Sequence, residues 1–425
     1  MLITSRRAFL GGAGLLILKP DLVRGSQNNS TVRMALFGCG GRGTGVAESF
    51  TEHTSAQYVA LGDLFKGQTE KAKAALDNVS AKAGKAPIDA SKIFSGPDAL
   101  DKLCACKDID AIHIATPPYF HPEHFAKAAA SGKHIYLEKP VAVDLPGARR
   151  VIATGQHVGT KASVAVGFQL RHATPYVQLR EHIQRGDMGA LVCGLAHYYA
   201  TQAGTKHEFD NASPNERRLR NWIHDKVLSG DILVEQNIHL IDWNNWILGA
   251  HPVKASGTCG RKGRTDAGNC SSHYNVTFTY PGDIDVTVTS TQFGEGTWDV
   301  AMRLFGTQGS SMAKYDAPVE ISGAKAWAFP GLGNPGQVND ASKAAVGAFK
   351  GALDDADAMK EQHFIESITS GKFINEAAQG AESTMSAMLG RYAAYTGRTW
   401  HWEELAKVTE IWNAGFSVAK LPSFA

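Results

Sequence analysis

A glycine-rich run near the start of the chain carries the clearest chemical signal in the sequence. Glycines 38, 40 and 43 have the spacing G-x-G-x-x-G, and an apolar stretch at 32–37 precedes them. In this spacing the glycines permit a tight turn, close approach of a pyrophosphate and close packing of a helix on a strand. Free N–H groups at the helix N-terminus would face the phosphates. We therefore expect a dinucleotide to be bound by Gly38, Gly40, Gly41, Arg42 and Gly43.

Asp63 extends this pattern, because it closes a second apolar run, 58–61, where dinucleotide-binding proteins carry an acid. A carboxylate at this position would accept hydrogen bonds from the adenosine ribose hydroxyls and repel a 2′-phosphate. The sequence therefore predicts NAD as the cofactor and makes NADP the less favoured one. Lys66, a nearby cation, weakens that preference.

The elements that must position these residues alternate along the first part of the chain. Six short apolar runs, the last at 162–168, are separated by helix-compatible segments. This alternation predicts an α/β fold with a doubly wound parallel sheet, a Rossmann domain, over residues 31–170. Ligands bind at the carboxyl ends of the strands in such sheets, where we find Thr116, Glu138 and Lys139.

Beyond Phe168 the apolar residues recur with a spacing of two, between glycine-rich turns. These stretches predict a large, mostly antiparallel open sheet with one face covered, and they lie at 191–199, 274–280, 284–291 and 300–305. Helices are predicted at about 230–248, 361–370 and 376–395. We assign residues 171–425 to a C-terminal α/β domain.

The chain's composition limits its partners. A length of 425 residues favours two domains, and a formal net charge of +2 provides no field for nucleic acid or an anionic membrane. Six cysteines do not make a disulfide framework in a chain this long, although export would allow a bridge such as Cys259 to Cys270. The pair Cys104 and Cys106 lacks further ligands at zinc spacing, so we expect no metal site.

Residues 1–30 form a separate segment. Ser-Arg-Arg-Ala-Phe-Leu at 5–10 is followed by an apolar stretch that is too short to span a bilayer as a mature helix. The pattern resembles a twin-arginine export signal, cleaved somewhere around 24–30, and no cysteine follows it for a lipid anchor. We therefore expect a periplasmic protein without a membrane anchor.

Four motifs in order resemble the glucose–fructose oxidoreductase, inositol dehydrogenase and rhizopine catabolism (Gfo/Idh/MocA) family. They are the glycine run, Asp63, Ala-Thr-Pro-Pro at 115–118 and Glu-Lys-Pro at 138–140, and the resemblance covers nearly all of the chain after residue 30. It implies a C-terminal domain whose open sheet carries the sugar site and a homo-oligomer contact. It also implies that Lys139 reaches the substrate near the nicotinamide and that Glu138 helps to hold the cofactor.

The same resemblance gives roles to Glu235 and His239, which match an acid four residues before a histidine on a helix. This spacing puts both side chains on one helical face. His239 is the expected base, Lys139 would stabilise charge on the reacting oxygen, and Glu235 would orient the imidazole or bind a hydroxyl. Many members have Asp and Gly where this chain has Glu235 and Asn237. The Glu-Gln-x-x-His form found here resembles an exported bacterial subgroup. The sequence therefore does not identify the substrate.

Three functions follow. The first is an NAD-dependent oxidoreductase acting on a sugar or glycoside hydroxyl. The second is a redox-neutral NAD-dependent glycosidase that works by oxidation, elimination and hydration. The third is a non-catalytic sugar-binding protein, against which the retention of Lys139 and His239 argues. Free NAD is scarce outside the cytoplasm, so an exported enzyme should carry its cofactor tightly bound.

A sugar site combines flat aromatic rings with polar groups. Any one aromatic is at least as compatible with core packing. The candidates are Tyr198, Tyr199, Trp222 and Trp243, with Arg171 and His172 after the sixth strand.

Overall fold

The computed structural model describes residues 31–201, 209, 212–264, 268–293, 298–332 and 351–421. The predicted export signal at 1–30 lies outside these residues. Val32–Ala425 forms one compact unit, and the boundary near residue 170 stays a prediction. Over the ranges given above, no helix has the length and apolar character needed to cross a membrane.

The first sheet has six parallel strands. They are β1 (Arg33–Phe37), β2 (Gln57–Asp63), β3 (Ile93–Ser95), β4 (Ala111–Ile114), β5 (His134–Leu137) and β6 (Val164–Val166). The helices between them are α1 (Gly41–His53), α2 (Lys66–Lys82), α3 (Ala99–Ala105), α4 (His121–Ala130) and α5 (Leu145–Val158). The strand order β3-β2-β1-β4-β5-β6 is that of a doubly wound dinucleotide-binding sheet, so the predicted Rossmann architecture is confirmed.

The register of this sheet brings its strand ends together. Phe37, the last residue of β1, pairs with Gly62 of β2 and with Ile114 of β4, and Ile114 pairs with Leu137 of β5. Because the strands are parallel, the residues that follow them lie along one edge. The glycine turn, Asp63, the 115–118 motif and the 138–140 motif therefore share that edge.

The second sheet has nine strands, in the order β14-β13-β12-β11-β7-β10-β9-β8-β15 when they are numbered along the chain. The strands are β7 (Leu191–Ala200), β8 (Lys254–Gly260), β9 (His273–Tyr280), β10 (Ile284–Gln292), β11 (Asp299–Gly306), β12 (Gly309–Lys314), β13 (Val319–Gly323), β14 (Trp327–Ala328) and β15 (Trp400–His401). The pair β7 and β10 is parallel, and the other pairs are antiparallel. This confirms the predicted mostly antiparallel sheet.

Further helices cover one face of the second sheet and connect it to the first. They are α6 (Thr174–Gln184), α7 (Pro214–Arg220), α8 (Lys226–Ser229), α9 (Ile232–Glu235), α10 (Ile238–Leu248), α11 (Ala356–Thr369), α12 (Ala377–Thr396) and α13 (Trp402–Leu405). Helix α11 packs against α1, and α12 packs against both α5 and β8. Late parts of the chain therefore return to the Rossmann sheet.

Two expectations about local structure need correction. The helix predicted at 230–248 is divided into α9 and α10, with Gln236 and Asn237 between them. Strands β8 and β12 were not predicted, because glycines and small polar residues hide the spacing of two in their sequences. The division of the helix matters for the site, since it falls between Glu235 and His239.

Candidate active site

Two of the three motif glycines, Gly38 and Gly43, have no room for a side chain. Gly38 has a φ of +98°, and a Cβ on it would lie 2.5 Å from the carbonyl carbon of Ala115. A Cβ on Gly43 would lie 2.2 Å from the carbonyl oxygen of Gly38, whereas Gly40 has open space beside it. The turn thus packs tightly below and is open above Gly40, as a pyrophosphate requires.

Gly41 and Arg42 begin α1, and Gly40 precedes it with an extended backbone. The guanidinium of Arg42 donates from Nε to Glu138 Oε1 at 3.2 Å and from Nη2 to Asp357 Oδ1 at 3.4 Å. The predicted cofactor ligand Arg42 therefore points its charge at two carboxylates. The Oε2 of Glu138 is buried without a hydrogen bond from the described residues.

Asp63 lies at the end of β2 and is buried. Its carboxylate accepts hydrogen bonds from the backbone N–H of Cys39 at 2.7 Å and of Phe65 at 2.8 Å. Burial raises the pKa of Asp63, and these N–H groups oppose the rise. The carboxylate therefore ties the glycine turn to the end of β2, in addition to lining the nucleotide groove.

A groove runs over this edge of the sheet. It is lined by Gly38, Gly40, Asp63 and Thr116. It is also lined by Leu219, Arg220 and Val418, which sequence reasoning missed, and by Trp222. The Arg220 guanidinium stacks on the Phe65 ring at 3.7 Å and pairs with Glu216. Trp222, a sugar-site candidate, thus faces the nucleotide groove.

Thr116 follows β4, belongs to the Ala-Thr-Pro-Pro motif at 115–118 and lines this groove. Its Oγ1 shares a hydrogen bond of 2.9 Å with Nδ1 of His124. Its backbone carbonyl lies 2.7 Å from Nε2 of His121. These contacts fix Thr116 as a rigid polar part of the wall.

Lys139 contacts the C-terminal helices directly. Its Nζ donates to the backbone carbonyl of Glu235 at 2.6 Å and lies 3.3 Å from Glu235 Oε1. The side chains are 12% and 14% exposed, so the pair is partly shielded from solvent. The structure therefore joins Glu235 to Lys139, where the sequence had suggested that Glu235 orients the His239 imidazole or binds a hydroxyl.

His239 is buried at the start of α10, and its Nδ1 receives no hydrogen bond from the described residues. Burial lowers its pKa well below 6.5, and the charges of Lys139 and Arg42 lower it further. The imidazole is therefore neutral at neutral pH and carries a lone pair on one ring nitrogen. The influence of Lys139 on this pKa places the two residues within electrostatic reach of each other.

The other sugar-site candidates divide by position. Tyr198 is buried on the covered face of β7, near the Glu235 charge, which adds to the rise in its pKa caused by burial. Tyr199 points to the opposite face, where it bonds Thr289. Trp243 is fully buried, and Arg171 forms an ion pair with Asp242 at 2.8 Å.

All six cysteines are free thiols. The bridge that export would allow between Cys259 and Cys270 is therefore not formed in this structure. Cys270 lies buried, with its Sγ 3.5 Å from the carbonyl oxygen of Ile223.

Comparison with known proteins agrees with this geometry. Residues 32–167 match the oxidoreductase family with an NAD-binding Rossmann fold, named GFO_IDH_MocA, and residues 176–312 match the GFO/IDH/MocA C-terminal domain. The chain belongs to this family. NAD is its cofactor, which fits the open space at Gly40, the groove along the strand ends and the unpartnered Glu138 oxygen.

Three similar proteins illustrate the range of the family. The inositol 2-dehydrogenase of Rhizobium meliloti is 28% identical over 68% of this chain and 78% of its own. A glycosyl hydrolase family 109 protein of Solibacter usitatus is 34% identical over 33% of each chain. The crystal structure of the aldose-aldose oxidoreductase from Caulobacter crescentus has a TM-score of 0.67 at 17% identity, over 87% of this chain and 99% of its own.

Proposed function

We infer that this oxidoreductase removes hydride from a hydroxyl-bearing carbon of a sugar or glycoside. The observation that carries the inference is the contact of Glu235 with Lys139, which follows β5 at the edge of the sheet that carries the NAD groove. The buried His239 is close enough for the charge of Lys139 to lower its pKa. NAD supplies the hydride acceptor. The similarity to an inositol dehydrogenase supports a polyhydroxylated substrate.

The hydroxyl proton must leave in the same step, and we assign His239 to receive it. A neutral imidazole has a lone pair on one ring nitrogen, and Nδ1 of His239 has no hydrogen-bond partner among the described residues. Burial that disfavours the protonated form keeps this base available below the pH at which an ordinary histidine is half protonated. His239 therefore acts as the general base in this proposal.

Lys139 has a complementary role. Its ammonium, fixed by the carbonyl and carboxylate of Glu235, would donate a hydrogen bond to the substrate oxygen as negative charge grows on it. Glu235 acts on the substrate through Lys139, because its carboxylate and carbonyl set the position of the ammonium. The pair thus provides electrostatic stabilisation, and His239 provides proton transfer.

Two measurements test this function. Denaturation of the purified protein should release mainly NAD, and addition of a panel of sugars, glycosides and inositols to the intact protein should reduce the nicotinamide, seen by its absorbance. Release of mainly NADP would overturn the role given to Asp63 and shift attention to Lys66. Failure of every polyol to reduce the nicotinamide, with nucleotide present, would contradict net oxidation and leave the redox-neutral glycosidase and the sugar-binding protein as the alternatives.

A redox-neutral glycosidase is the second candidate, and the similarity to a family 109 glycosyl hydrolase over a third of the chain favours it. Oxidation at a ring carbon would acidify the neighbouring C–H bond, which allows loss of the glycosidic substituent. Water then adds, and the ketone is reduced by the hydride removed earlier. Mass spectrometry of products from a glycoside panel distinguishes the two: the glycosidase gives free sugar and no keto product.

We also propose that the protein is exported to the periplasm by the twin-arginine signal at 5–10 and retains its NAD. An apolar cluster supports retention, because it joins Phe65, which lines the nucleotide groove, to Leu219, Leu228 and Ala414 from distant parts of the chain. Fast exchange of the bound nucleotide with labelled NAD would contradict this part of the proposal.

The open face of the second sheet is the proposed homo-oligomer contact. Leu195 on β7 is 52% exposed on that face, beside Thr287 and Arg303 of the neighbouring strands. Light scattering should give a mass above that of one chain, and Leu195→Arg should lower it. Ile411→Arg, at an exposed residue outside the sheet, is the control. A single-chain mass for the unaltered protein would contradict the proposal.

A further inference from the structure

Three side chains outside the proposed active site bring metal-ligating atoms together. They are His172 at the end of a 3-10 helix (Gln169–His172), His363 on α11 and Glu376 immediately before α12. One nitrogen from each histidine and one oxygen from Glu376 all lie within 4.8 Å of one another. The sequence predicted no metal site, because these residues are far apart along the chain and have no recognisable spacing.

Most of the possible ligand atoms in this cluster have no hydrogen-bond partner among the described residues. No described residue forms a hydrogen bond with the ring nitrogens of His172 or His363, whose rings face each other at 5.4 Å between centroids. Glu376 uses one oxygen, Oε2, to accept the backbone N–H of Val166 at 2.8 Å. That hydrogen bond orients the carboxylate and leaves Oε1 available, as outer contacts do in metal sites.

The charges around the cluster are compatible with a cation. The Arg171 guanidinium, next to His172 in the chain, is neutralised by two hydrogen bonds to Asp242. Lys360 is paired with Asp357.

We propose that His172, His363 and Glu376 bind a divalent transition metal ion, for which Zn²⁺ is the best fit. Two imidazoles and one carboxylate are a common three-residue zinc ligand set, which leaves a fourth position for water. A tetrahedral zinc site holds its ligand atoms about 3.4 Å apart, so the cluster must contract slightly. His363 is exposed and can rotate to achieve this.

The ion would connect three segments that meet only in the folded protein. The 3-10 helix follows β6 of the Rossmann sheet, whereas α11 and α12 lie between β14 and β15 of the second sheet in the chain. Gln169, in the same 3-10 helix, accepts a hydrogen bond from Arg42 at 3.2 Å. Metal binding would therefore stabilise the docking of α11 and α12 beside the nucleotide site.

Calorimetric titration of ZnCl₂ into tag-free, chelator-treated protein with its nucleotide still bound tests the proposal. We expect about one equivalent to bind and the thermal unfolding midpoint to rise. His363→Ala should weaken binding by about 100-fold or more, since loss of an outer contact alone costs about 10- to 100-fold. His157→Ala, at an exposed histidine on α5, should bind zinc like the unaltered protein.

Two further measurements keep the test decisive. Unchanged nucleotide content shows that His363→Ala is folded, and Glu376→Gln, which can still accept the Val166 N–H, should also weaken binding. A Co²⁺ complex should lack thiolate charge-transfer absorption, because the proposed ligands include no cysteine. Equal zinc affinity in the unaltered protein and His363→Ala, no zinc binding, or a thiolate spectrum would each overturn the proposal.

Discussion

The ammonium of Lys139 lies 2.6 Å from the backbone carbonyl oxygen of Glu235, at the end of α9. Carbonyl groups at a helix end have no partner within the helix, so this contact satisfies one of them. It also connects the residue after β5 to the helices of the second part of the chain. The position of Lys139 therefore depends on how α9 docks on the Rossmann sheet.

Replacing Lys139 by Ala should lower kcat by about a hundredfold or more, because one donor to a developing oxyanion is typically worth that much. Steady-state kinetics on a substrate found in the panel measures the effect. Lys127→Ala, which removes an exposed lysine paired with Asp101, is the matched control and should leave kcat unchanged. Glu235→Gln keeps the backbone contact and should cost less than Lys139→Ala. Normal turnover of Lys139→Ala would make this lysine a structural cation.

The low pKa of His239 predicts how kcat/KM depends on pH under acidic conditions. Burial and the charges of Lys139 and Arg42 disfavour the protonated imidazole, so the neutral base persists as the pH falls through 6.5. We expect kcat/KM to stay level through pH 6.5 and to decline only below it. In His239→Asn that decline should disappear together with most of the rate. A decline centred at or above pH 6.5 would argue against this base.

Much of the nucleotide site could be predicted from the sequence because its determinants are local. The glycine spacing and Asp63 follow one another within a single strand, helix and strand, and parallel pairing then brings Thr116 and Glu138 to the same edge. The positions of these residues can be predicted without any knowledge of the second sheet. Their placement follows from alternation and from the rule that strand ends meet.

The rest of the site depends on tertiary docking that no spacing encodes. The contact between Lys139 and Glu235 forms only when α9 reaches β5, and the groove wall at Arg220 and Trp222 comes from a segment with no nucleotide motif. The break between α9 and α10 was also missed, because Gln236 and Asn237 retain helical backbone angles and interrupt no apolar pattern.

Glu361 on α11 predicts a pH dependence of stability. It is fully buried, and its Oε2 accepts a hydrogen bond from Ser49 at 2.7 Å. Burial raises its pKa from 4.5 to about 8, although Lys360 opposes the rise. The folded state therefore keeps a proton that the unfolded state loses above pH 4.5, so stability falls as the pH rises towards 8, by at most about 1.4 kcal/mol for each pH unit.

Glu361→Gln should remove this fall, because an amide stays neutral across the window. Urea unfolding at several pH values between about 5 and 8 measures it, with the midpoint as the readout. Glu366→Gln changes a carboxylate on the same helix for which burial is slight, and it should keep the slope of the unaltered protein. Equal slopes in the unaltered protein and Glu361→Gln would show that Glu361 is ionised in the folded state.

The last prediction links export to the retained cofactor. Changing Arg6 and Arg7 to Lys should leave folded, nucleotide-loaded protein in the cytoplasm, because the twin-arginine pathway requires the arginine pair and carries folded proteins. Fractionation of cells and analysis of the nucleotide in each fraction measure both effects. Arg398→Lys, at an exposed arginine outside the signal sequence, should not alter the distribution.

Periplasmic protein should also arrive with NAD already bound, since no external pool can fill the site. Added NAD should then change its rate little, because the site is already occupied. A periplasmic protein that is empty, and whose rate rises with added NAD, would contradict the retained-cofactor proposal. An ordinary dissociable dehydrogenase would then explain the site better, since its NAD must be replenished from a cytoplasmic pool.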